Sequence, residues 1–221
     1  SRTGFPSGIG MALAKKSTKR VLRVVDILMN GGIGVSSCIS LQSIDPDTLV
    51  ASRRDNISID TYLDVAAVLR RRGYGLQGEV ILGLPGQTYE AYQNDVQFMF
   101  DHEITTRTWP LRVLTNSPMN ELEFRTEHQI VANEEGLVRS TASMSEAEIM
   151  RALRLRTIDE IVERYGLLRH LLRFLQWDSG LRAVDVEEAL LDMTITRPQE
   201  YPFLSWTLSH FDVFTTPASG R

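Results

Sequence analysis

Two stretches of the chain alternate apolar and polar residues in a way that predicts β-strands with one unusual face. Residues 79–84 read as a strand that runs through a Pro-Gly turn into a helix capped by Thr88. Successive side chains of a strand point to opposite faces, so Glu79 and Ile81 share one face and the apolar residues between them share the other. Burying a carboxylate on an apolar strand is costly unless the carboxylate has a partner. Glu79 therefore needs an explanation.

The strand predicted at residues 34–43 shows the same anomaly. Ile39 and Leu41 lie on one face, whereas the opposite face is small or polar at each position, namely Ser36, Cys38, Ser40 and Gln42. Strands of a parallel α/β sheet are normally apolar on both faces, because both are covered. A polar inner face near the carboxyl end of a strand indicates a ligand cavity, since α/β barrels place their chemistry there. The alternative is a packed core in which neighbouring residues satisfy Gln42 and Glu79.

Strand and helix patterns alternate along the first half of the chain. Strands are predicted at 8–14, 36–42, 79–84 and 108–114, and helices begin at Ser17 or Thr18, Asp45-Pro46, Ser58 and Thr88. Repeated βα units predict a parallel sheet with right-handed crossovers. Such a set of strands is too small to close a barrel. We therefore predict an α/β fold, a partial parallel (β/α) barrel of about four strands whose missing strands lie upstream, with an all-helical carboxy-terminal extension.

The character of the chain changes after Leu114. The predicted domains are the partial barrel at 1–120, a polar, loop-like linker or lid at 121–144, and the helical extension at 145–221. A capping box at Ser145 opens the extension, Asp185 is predicted to cap a later helix, and residues 201–214 form the last helix. The aromatic residues of this part, such as Trp177, Phe203 and Trp206, are predicted to be core.

Composition narrows the range of functions. The formal net charge of −4 argues against a dedicated nucleic-acid surface, which requires clustered positive charge. No apolar run is long enough to span a membrane and no secretory signal pattern opens the chain, so we predict a cytoplasmic protein. Cys38, the single cysteine, fits a reducing compartment and cannot hold a multi-cysteine metal site alone. The four histidines are dispersed, so no metal ligands are predicted in this chain.

Several segments together resemble the radical S-adenosylmethionine (SAM) superfamily, in the second half of its barrel. They are Ser40-Leu41-Gln42-Ser43, Asp45-Pro46 with Arg53-Arg54, and the stretch from Glu79 to Thr88. The continuation through 110–114, 116–120 and 123–125 is similar to the subgroup that carries an amino-terminal cobalamin-binding domain. The resemblance covers about residues 8 to 130. It implies three cofactors for the whole enzyme: SAM, a [4Fe–4S] cluster and, in this subgroup, cobalamin on an upstream domain.

The resemblance also implies which residues contact SAM. In the family, a glutamine at the end of the fourth strand and an acid on the fifth contact the ribose hydroxyls, and Gln42 and Glu79 match these places. Ser40 precedes the glutamine in the same motif and belongs to the predicted site. An arginine after the following short helix binds the methionine carboxylate. Arg54 matches it, with Arg53 as the alternative, and a bidentate guanidinium–carboxylate contact suits that role.

Further positions match the family's adenine contacts. Ile81 and Gly83 correspond to a fifth-strand motif that packs on adenine, although the flanking positions of this motif depart from the usual pattern. On the sixth strand, Leu111 or Arg112 is expected near the adenine. Arg112 has a second interpretation, as the structural ion-pair partner of Glu79.

The superfamily's Cys-x-x-x-Cys-x-x-Cys loop is not found in this sequence, and cluster ligands of that kind are cysteine thiolates. We therefore predict no catalytic residue here. The chain is expected to be an inactive carboxy-terminal portion that works with the upstream part of the same protein. The whole enzyme would generate a 5′-deoxyadenosyl radical and act on a small-molecule or natural-product substrate by hydrogen abstraction or cobalamin-assisted methyl transfer. The alternatives are a non-radical α/β barrel enzyme with Glu79 as general base and a non-catalytic scaffold.

Overall fold

The core of the fold is a parallel sheet of four strands in sequential order. The computed structural model describes residues 6–12, 18–73 and 76–210. The strands are β1 (Gly8–Ala12), β2 (Gly34–Gln42), β3 (Leu76–Leu82) and β4 (Thr105–Pro110). In the register, Glu79 of β3 lies between Ser40 of β2 and Arg107 of β4. The prediction of an α/β fold with a parallel sheet is confirmed.

Four helices are interspersed with the strands, and three of them start at observed side-chain caps. They are α1 (Thr18–Asn30), α2 (Pro46–Ala51), α3 (Ile59–Arg71) and α4 (Tyr89–Asp101). Asp45, Ser58 and Thr88 accept hydrogen bonds from the first-turn N–H groups of α2, α3 and α4, so these three predicted caps are confirmed. Ser17, one of the two predicted caps of α1, lies outside the described residues.

The two faces of the sheet differ in burial. The face toward α3 and α4 is buried and comprises Ile39, Leu41, Gly78, Val80, Leu82, Thr106 and Thr108. The opposite face, here called the inner face, is half-buried or exposed and comprises Cys38, Ser40, Gln77, Glu79, Ile81, Thr105, Arg107 and Trp109. The predicted alternation is therefore confirmed for Cys38 to Leu41 on β2 and for Glu79 to Leu82 on β3. The side chain of Ser36 lies outside the described residues, and Gln42 follows a shift in register.

The loop after β3 docks on α2. Gly86 in this loop has φ +81°, and a Cβ there would lie 2.7 Å from Ala51 Cβ and 3.1 Å from the Asp47 carbonyl oxygen. Only glycine combines that backbone conformation with such a close approach. The loop therefore places the carboxyl end of β3 beside the α2 segment that follows β2.

The segment expected to be a loop contains regular structure. It holds α5 (Leu122–Glu127) and a small antiparallel pair, β5 (Val131–Ala132) with β6 (Val138–Ser140). The strand expected at 108–114 is β4, which begins three residues earlier and ends four residues earlier. The β-branched residues Thr105 and Thr106 extend the alternation at its start, and Pro110 ends the strand. The expectation of an irregular segment was wrong because these elements are too short to show a clear period.

The carboxy-terminal part of the described chain is helical. After α6 (Glu146–Asp159) comes a π-helical turn (Glu160–Arg164), then α7 (Arg169–Ser179), α8 (Ala183–Thr196) and α9 (Pro202–Ser209). The capping box at Ser145 is confirmed. Asp185 lies in the first turn of α8, whose N-cap is Arg182, so the predicted cap was wrong. Residues 211–214 of the predicted last helix lie outside the described residues.

Three aromatic residues of this part that were expected in the core are surface residues. Trp177 is 81% exposed, Phe203 58% and Trp206 57%. The interior between α6 and α8 is instead filled by aliphatic side chains, such as Leu155, Ile158 and Leu191. Aromatic type alone therefore did not indicate burial, because the shorter aliphatic residues already fill the space between the helices.

A group of buried acids lies where α6, the π-helical turn and α8 meet, and comprises Asp159, Glu163 and Glu187. Burial raises the pKa of Asp159 to about 8, and the negative charges of Glu163 and Glu160 add to this, while Arg156 opposes it. Burial, followed by the charges of Asp159, Glu163 and Glu188, also raises the pKa of Glu187. Asp159 and Glu187 therefore hold protons in the folded state that they lose in the unfolded chain at neutral pH.

The free energy of unfolding is expected to fall as the pH rises from about 5 to 9. The contribution of an acid with a raised pKa to the free energy of unfolding is fully present below the pKa of the unfolded chain. It is lost as the pH rises through the pKa of the folded state. The maximal slope is about 1.4 kcal/mol per pH unit for each such group. Glu187→Gln should flatten the decline, measured by urea unfolding at several pH values. The exposed control Glu134→Gln should leave it unchanged, and equal slopes for both variants would contradict the buried-acid account.

A second expectation concerns the contact between β3 and its helices. A Cβ on Gly78 would lie 2.5 Å from Met99 Sδ and 2.9 Å from the Tyr62 hydroxyl, both on buried side chains. Gly78→Ala should therefore lower the free energy of unfolding by about 1–3 kcal/mol, because the core is overpacked. Gly8→Ala is the matched control, since its Cβ would meet only the Gly34 carbonyl oxygen at 3.4 Å. A neutral effect of Gly78→Ala in urea unfolding would show that the helices stand further from the sheet.

Candidate functional site

The inner face carries a hydrogen-bonded acid at its centre. The Glu79 carboxylate accepts a hydrogen bond from Ser40 Oγ and another, at 3.1 Å, from Trp109 Nε1. The Arg107 guanidinium stacks on the Trp109 ring at 4.3 Å from its centroid. These neighbours satisfy the half-buried carboxylate and fix its position on the face that helices do not cover. Ser40 and Glu79 of the predicted site are thus brought together.

Cys38 lies on the same face of β2, two residues before Ser40. Burial raises the pKa of the Cys38 thiol to about 12, and the negative charge of Glu79 and a hydrogen bond with it add to this effect. A thiol is a nucleophile or metal ligand only as the thiolate. Cys38 therefore stays protonated at neutral pH, as expected for a small packing residue.

The end of β2 is distorted at Gln42. The pairing of β2 with β3 shifts register between Ser40 and Gln42, and Gln42 has φ +71°. Non-glycine residues rarely adopt this left-handed conformation, which often occurs at functional sites. The Gln42 Oε1 atom accepts a hydrogen bond from Arg54 Nη1. The bulge therefore turns the amide of Gln42 toward the arginine that follows α2.

The structure separates the two arginine candidates. Arg54 is half-buried, and its Nε is buried without a hydrogen-bond partner among the described residues. Burial lowers the pKa of Arg54 from its ordinary value. Arg53 is exposed, lies 3.5 Å from Glu127 and stacks over Phe124. Arg54, and not Arg53, is therefore the arginine that contacts Gln42.

A pocket of about 330 Å³ adjoins these arginines. Its lining combines the turn after α2 with the segment after β4, and comprises Ser52, Arg53, Arg54, Ser117, Pro118, Met119 and Phe124. Arg54 lines this pocket, and its guanidinium retains one buried donor, Nε, without a hydrogen-bond partner among the described residues.

The adenine candidates lie in different surroundings. Ile81 is half-buried on the face of Glu79. Gly83 is buried, and a Cβ there would contact Ile149, Val138 and Leu111 at ordinary distances of 3.6 to 3.9 Å. Leu111 is itself buried in the core. Of these candidates, only Ile81 shares the inner face.

Arg112 lies away from Glu79. Its guanidinium is exposed and donates to the Glu135 carbonyl oxygen at 3.1 Å, with the Glu135 carboxylate 3.8 Å away. The interpretation of Arg112 as the ion-pair partner of Glu79 was therefore wrong. Arg112 lies beyond the end of β4 and forms an isolated antiparallel bridge with Leu137, between β5 and β6. Its position is therefore not set by the parallel sheet.

Two residues of the inner face were missed from the sequence, Arg107 and Trp109. Both lie on β4 at the alternate positions that share a face with Glu79. The sequence feature that could have identified them is the alternation of residues before Pro110. With the proline taken as the end of the strand, this alternation places both residues on the face of Glu79.

The described residues fit some cofactors of the resembled family and not others. Glu79, Gln42 and Arg54 offer a carboxylate, an amide and a guanidinium with a free buried donor, which suits a ligand with a diol and a carboxylate, such as SAM. A [4Fe–4S] cluster does not fit this chain, because the sequence has one cysteine. Within the described ranges, no three potential metal ligands lie together.

Curated proteins with similar sequences include two methyltransferases. The cobalamin-dependent radical SAM methyltransferase TokK of Streptomyces tokunonensis is 28% identical over 123 residues, which is 54% of this chain and 18% of TokK. The 2-(S-pantetheinyl)-carbapenam-3-carboxylate methyltransferase of Streptantibioticus cattleyicolor is 27% identical over 124 residues, 55% of this chain and 18% of that protein. The chain thus spans about a fifth of the length of these relatives. The resemblance to the cobalamin-dependent radical SAM subgroup is confirmed for the matched part. No family model matches the chain.

Solved structures with a similar arrangement include the radical SAM methyltransferase TsrM from Kitasatospora setae, with a TM-score of 0.40 and 18% identity, covering 51% of this chain and 21% of TsrM. The archaeal Elp3 of Methanocaldococcus infernus has a TM-score of 0.47 and 14% identity, covering 79% of this chain and 46% of that structure. TM-scores below 0.5 are too low to argue from. Separately, none of the described helices is both long and apolar enough to cross a membrane.

The charge on Glu79 should be visible in the reactivity of Cys38. Glu79→Gln removes the second-largest cause of the raised thiol pKa, so the thiolate fraction should increase, roughly tenfold for each unit by which the pKa falls. Alkylation by iodoacetamide between pH 8 and 10, followed by mass spectrometry, measures this change. Because burial remains, the thiol should still titrate above its ordinary pKa. The exposed control Glu123→Gln should react like the unaltered protein, and equal rates in both variants would show that Glu79 lies too far from the thiol.

Proposed function

We propose that this chain supplies the SAM-binding part of a cobalamin-dependent radical SAM methyltransferase. One observation carries the proposal: Glu79, in the middle of β3 on the polar inner face, and Gln42, which contacts Arg54 from the carboxyl end of β2, lie on adjacent parallel strands. Parallel α/β folds bind ligands at the carboxyl ends of their strands. The sequence similarity to TokK and to the carbapenam methyltransferase supports the same activity.

Each residue has a distinct proposed role. Glu79 would accept hydrogen bonds from the ribose hydroxyls of SAM, in addition to those from Ser40 and Trp109, since a carboxylate has about four lone-pair positions. Arg54 would bind the methionine carboxylate, which would satisfy its buried Nε. Gln42 orients the guanidinium through its Oε1 and keeps its amide N–H groups for the ligand. Ile81 would supply an apolar contact on the same face.

The four strands are proposed to be part of a (β/α) barrel of the radical SAM type. The inner face of the sheet is left half-buried or exposed, as the wall of a barrel interior would be without its remaining strands. The chain spans about a fifth of its curated relatives, so other parts of a longer protein would complete the barrel. The domains predicted at 1–120, 121–144 and 145–221 remain predictions on this basis.

Other parts of the protein would hold the remaining cofactors. The [4Fe–4S] cluster and cobalamin would supply the redox and methyl-transfer chemistry, whereas this chain supplies orientation and charge complementarity for SAM. The two curated relatives suggest a small-molecule or natural-product substrate. Under this proposal, the isolated chain is inactive.

Binding of SAM to the full-length protein, measured anaerobically by isothermal titration calorimetry, tests the proposal. Glu79→Ala should weaken binding by about 1–3 kcal/mol, because the ribose hydroxyls lose a carboxylate acceptor. Arg54→Ala should weaken it by a similar amount, because it removes a charged hydrogen-bond donor.

Arg53→Ala is the matched control for the arginine. It removes the same charge one residue away, from a side chain that is exposed and contacts Glu127. Affinity in this variant should fall much less than in Arg54→Ala, because Arg53 does not contact Gln42. If Arg53→Ala and Arg54→Ala have equal effects, a general loss of positive charge accounts for them and the proposed site is wrong. If Glu79→Ala binds SAM normally while an activity is lost, the alternative of Glu79 as a general base gains support.

A further inference from the structure

A buried acid on α4 connects the two strand ends that carry the candidate site. Asp95 Oδ1 accepts hydrogen bonds from the Ile44 N–H at 2.6 Å and the Ser43 hydroxyl at 3.1 Å. Both donors directly follow Gln42 at the end of β2. Asp95 Oδ2 accepts a third hydrogen bond, from Gln87 Nε2 at 3.0 Å. A single carboxylate therefore holds the end of β2 and a residue of the loop after β3.

Gln87 extends this connection to β3. Its Oε1 accepts from the Gly83 N–H at 2.8 Å, and its Nε2 also donates to the Ile81 carbonyl oxygen at 3.1 Å. Gln87 is fully buried, and so is Asp95. The Asp95–Gln87 pair thus fixes the backbone at both strand ends within one network.

Asp95 is the acceptor in each of its three hydrogen bonds. The three donors to Asp95 are a backbone N–H, a hydroxyl and an amide, all of them uncharged. Burial raises the pKa of Asp95 to about 7 against these hydrogen bonds, and the charge of Asp45 adds to the increase. A buried carboxylate without a cation costs stability that an apolar side chain would not cost. Asp95 lies between the end of β2 and the loop after β3, and it is the hydrogen-bond acceptor for donors from both segments.

We infer that Asp95 is a positioning residue that sets the distance and orientation between Gln42 on β2 and the Glu79–Gly83 end of β3. The inference rests on the proposed function, because it assigns those two strand ends to one SAM site. Asparagine cannot replace the acid without loss, since its NH₂ group would face either Gln87 Nε2 or the Ile44 N–H. Misplacement of one strand end should weaken contacts that span both.

Hydrogen exchange of the SAM-free protein tests the network independently of SAM binding. In Asp95→Asn, the amides of Ile44 and Gly83 should both exchange at least several-fold faster. The amide of Val113, which donates to the Gly136 carbonyl oxygen at 2.8 Å outside the network, should keep its protection. Unchanged exchange at Ile44 and Gly83, or an equal increase at Val113, would overturn the inference.

SAM affinity separates positioning from general stability. Val96→Ala removes buried apolar atoms from the residue after Asp95 and leaves every hydrogen-bonding group of the network in place, so it serves as a destabilised comparison. We expect Asp95→Asn to weaken SAM binding about tenfold and Val96→Ala to leave it within twofold. Equal weakening in both variants would mean that Asp95 only stabilises the fold. If the unaltered protein binds no SAM, the proposed function fails, while hydrogen exchange still decides whether the network exists.

Discussion

A carboxylate in the middle of a parallel sheet constrains everything around it. Glu79 can occupy β3 only because Ser40 and Trp109 donate to it from the neighbouring strands and because its face is not packed by helices. A fully apolar inner face would leave the charge without compensation. The polar inner face of β2 and the stacked Arg107–Trp109 pair on β4 therefore form one arrangement centred on this acid.

The buried face of the sheet is packed closely against helices, and this packing holds the strands that carry Glu79 and its partners. Gly78 lets α3 and α4 approach β3 closely, and Gly86 lets the next loop dock on α2. The network of Asp95 and Gln87 then links the ends of β2 and β3 from behind. Binding sites on such preorganised elements lose little entropy when a ligand binds, which is a physical reason for placing polar groups there.

Much of this could be read from the sequence. The alternation on β2 and β3 indicated which side chains share a face, and the caps at Asp45, Ser58 and Thr88 fixed where three helices begin. These signals are local, so they survive folding unchanged. Gln42 and Glu79 stood out on the polar faces of two strands, Arg54 entered the site through the resemblance to radical SAM enzymes, and the structure adds their hydrogen-bond partners.

The remainder depends on tertiary contacts. Nothing in the sequence around Arg112 shows that this arginine forms an ion pair with Glu135. Asp95 has the sequence context of an ordinary polar residue on an amphipathic helix. Trp177 is apolar yet exposed, because aliphatic side chains fill the space between α6 and α8. Such outcomes are set by which elements pack together, and a single sequence does not reveal that packing.

The most direct measurement is a crystal structure of the full-length protein with SAM bound, prepared anaerobically. The account predicts that the ribose hydroxyls lie within hydrogen-bond distance of the Glu79 carboxylate and that the methionine carboxylate contacts Arg54 beside Gln42. SAM bound elsewhere, with Glu79 held only by Ser40 and Trp109, would contradict the account.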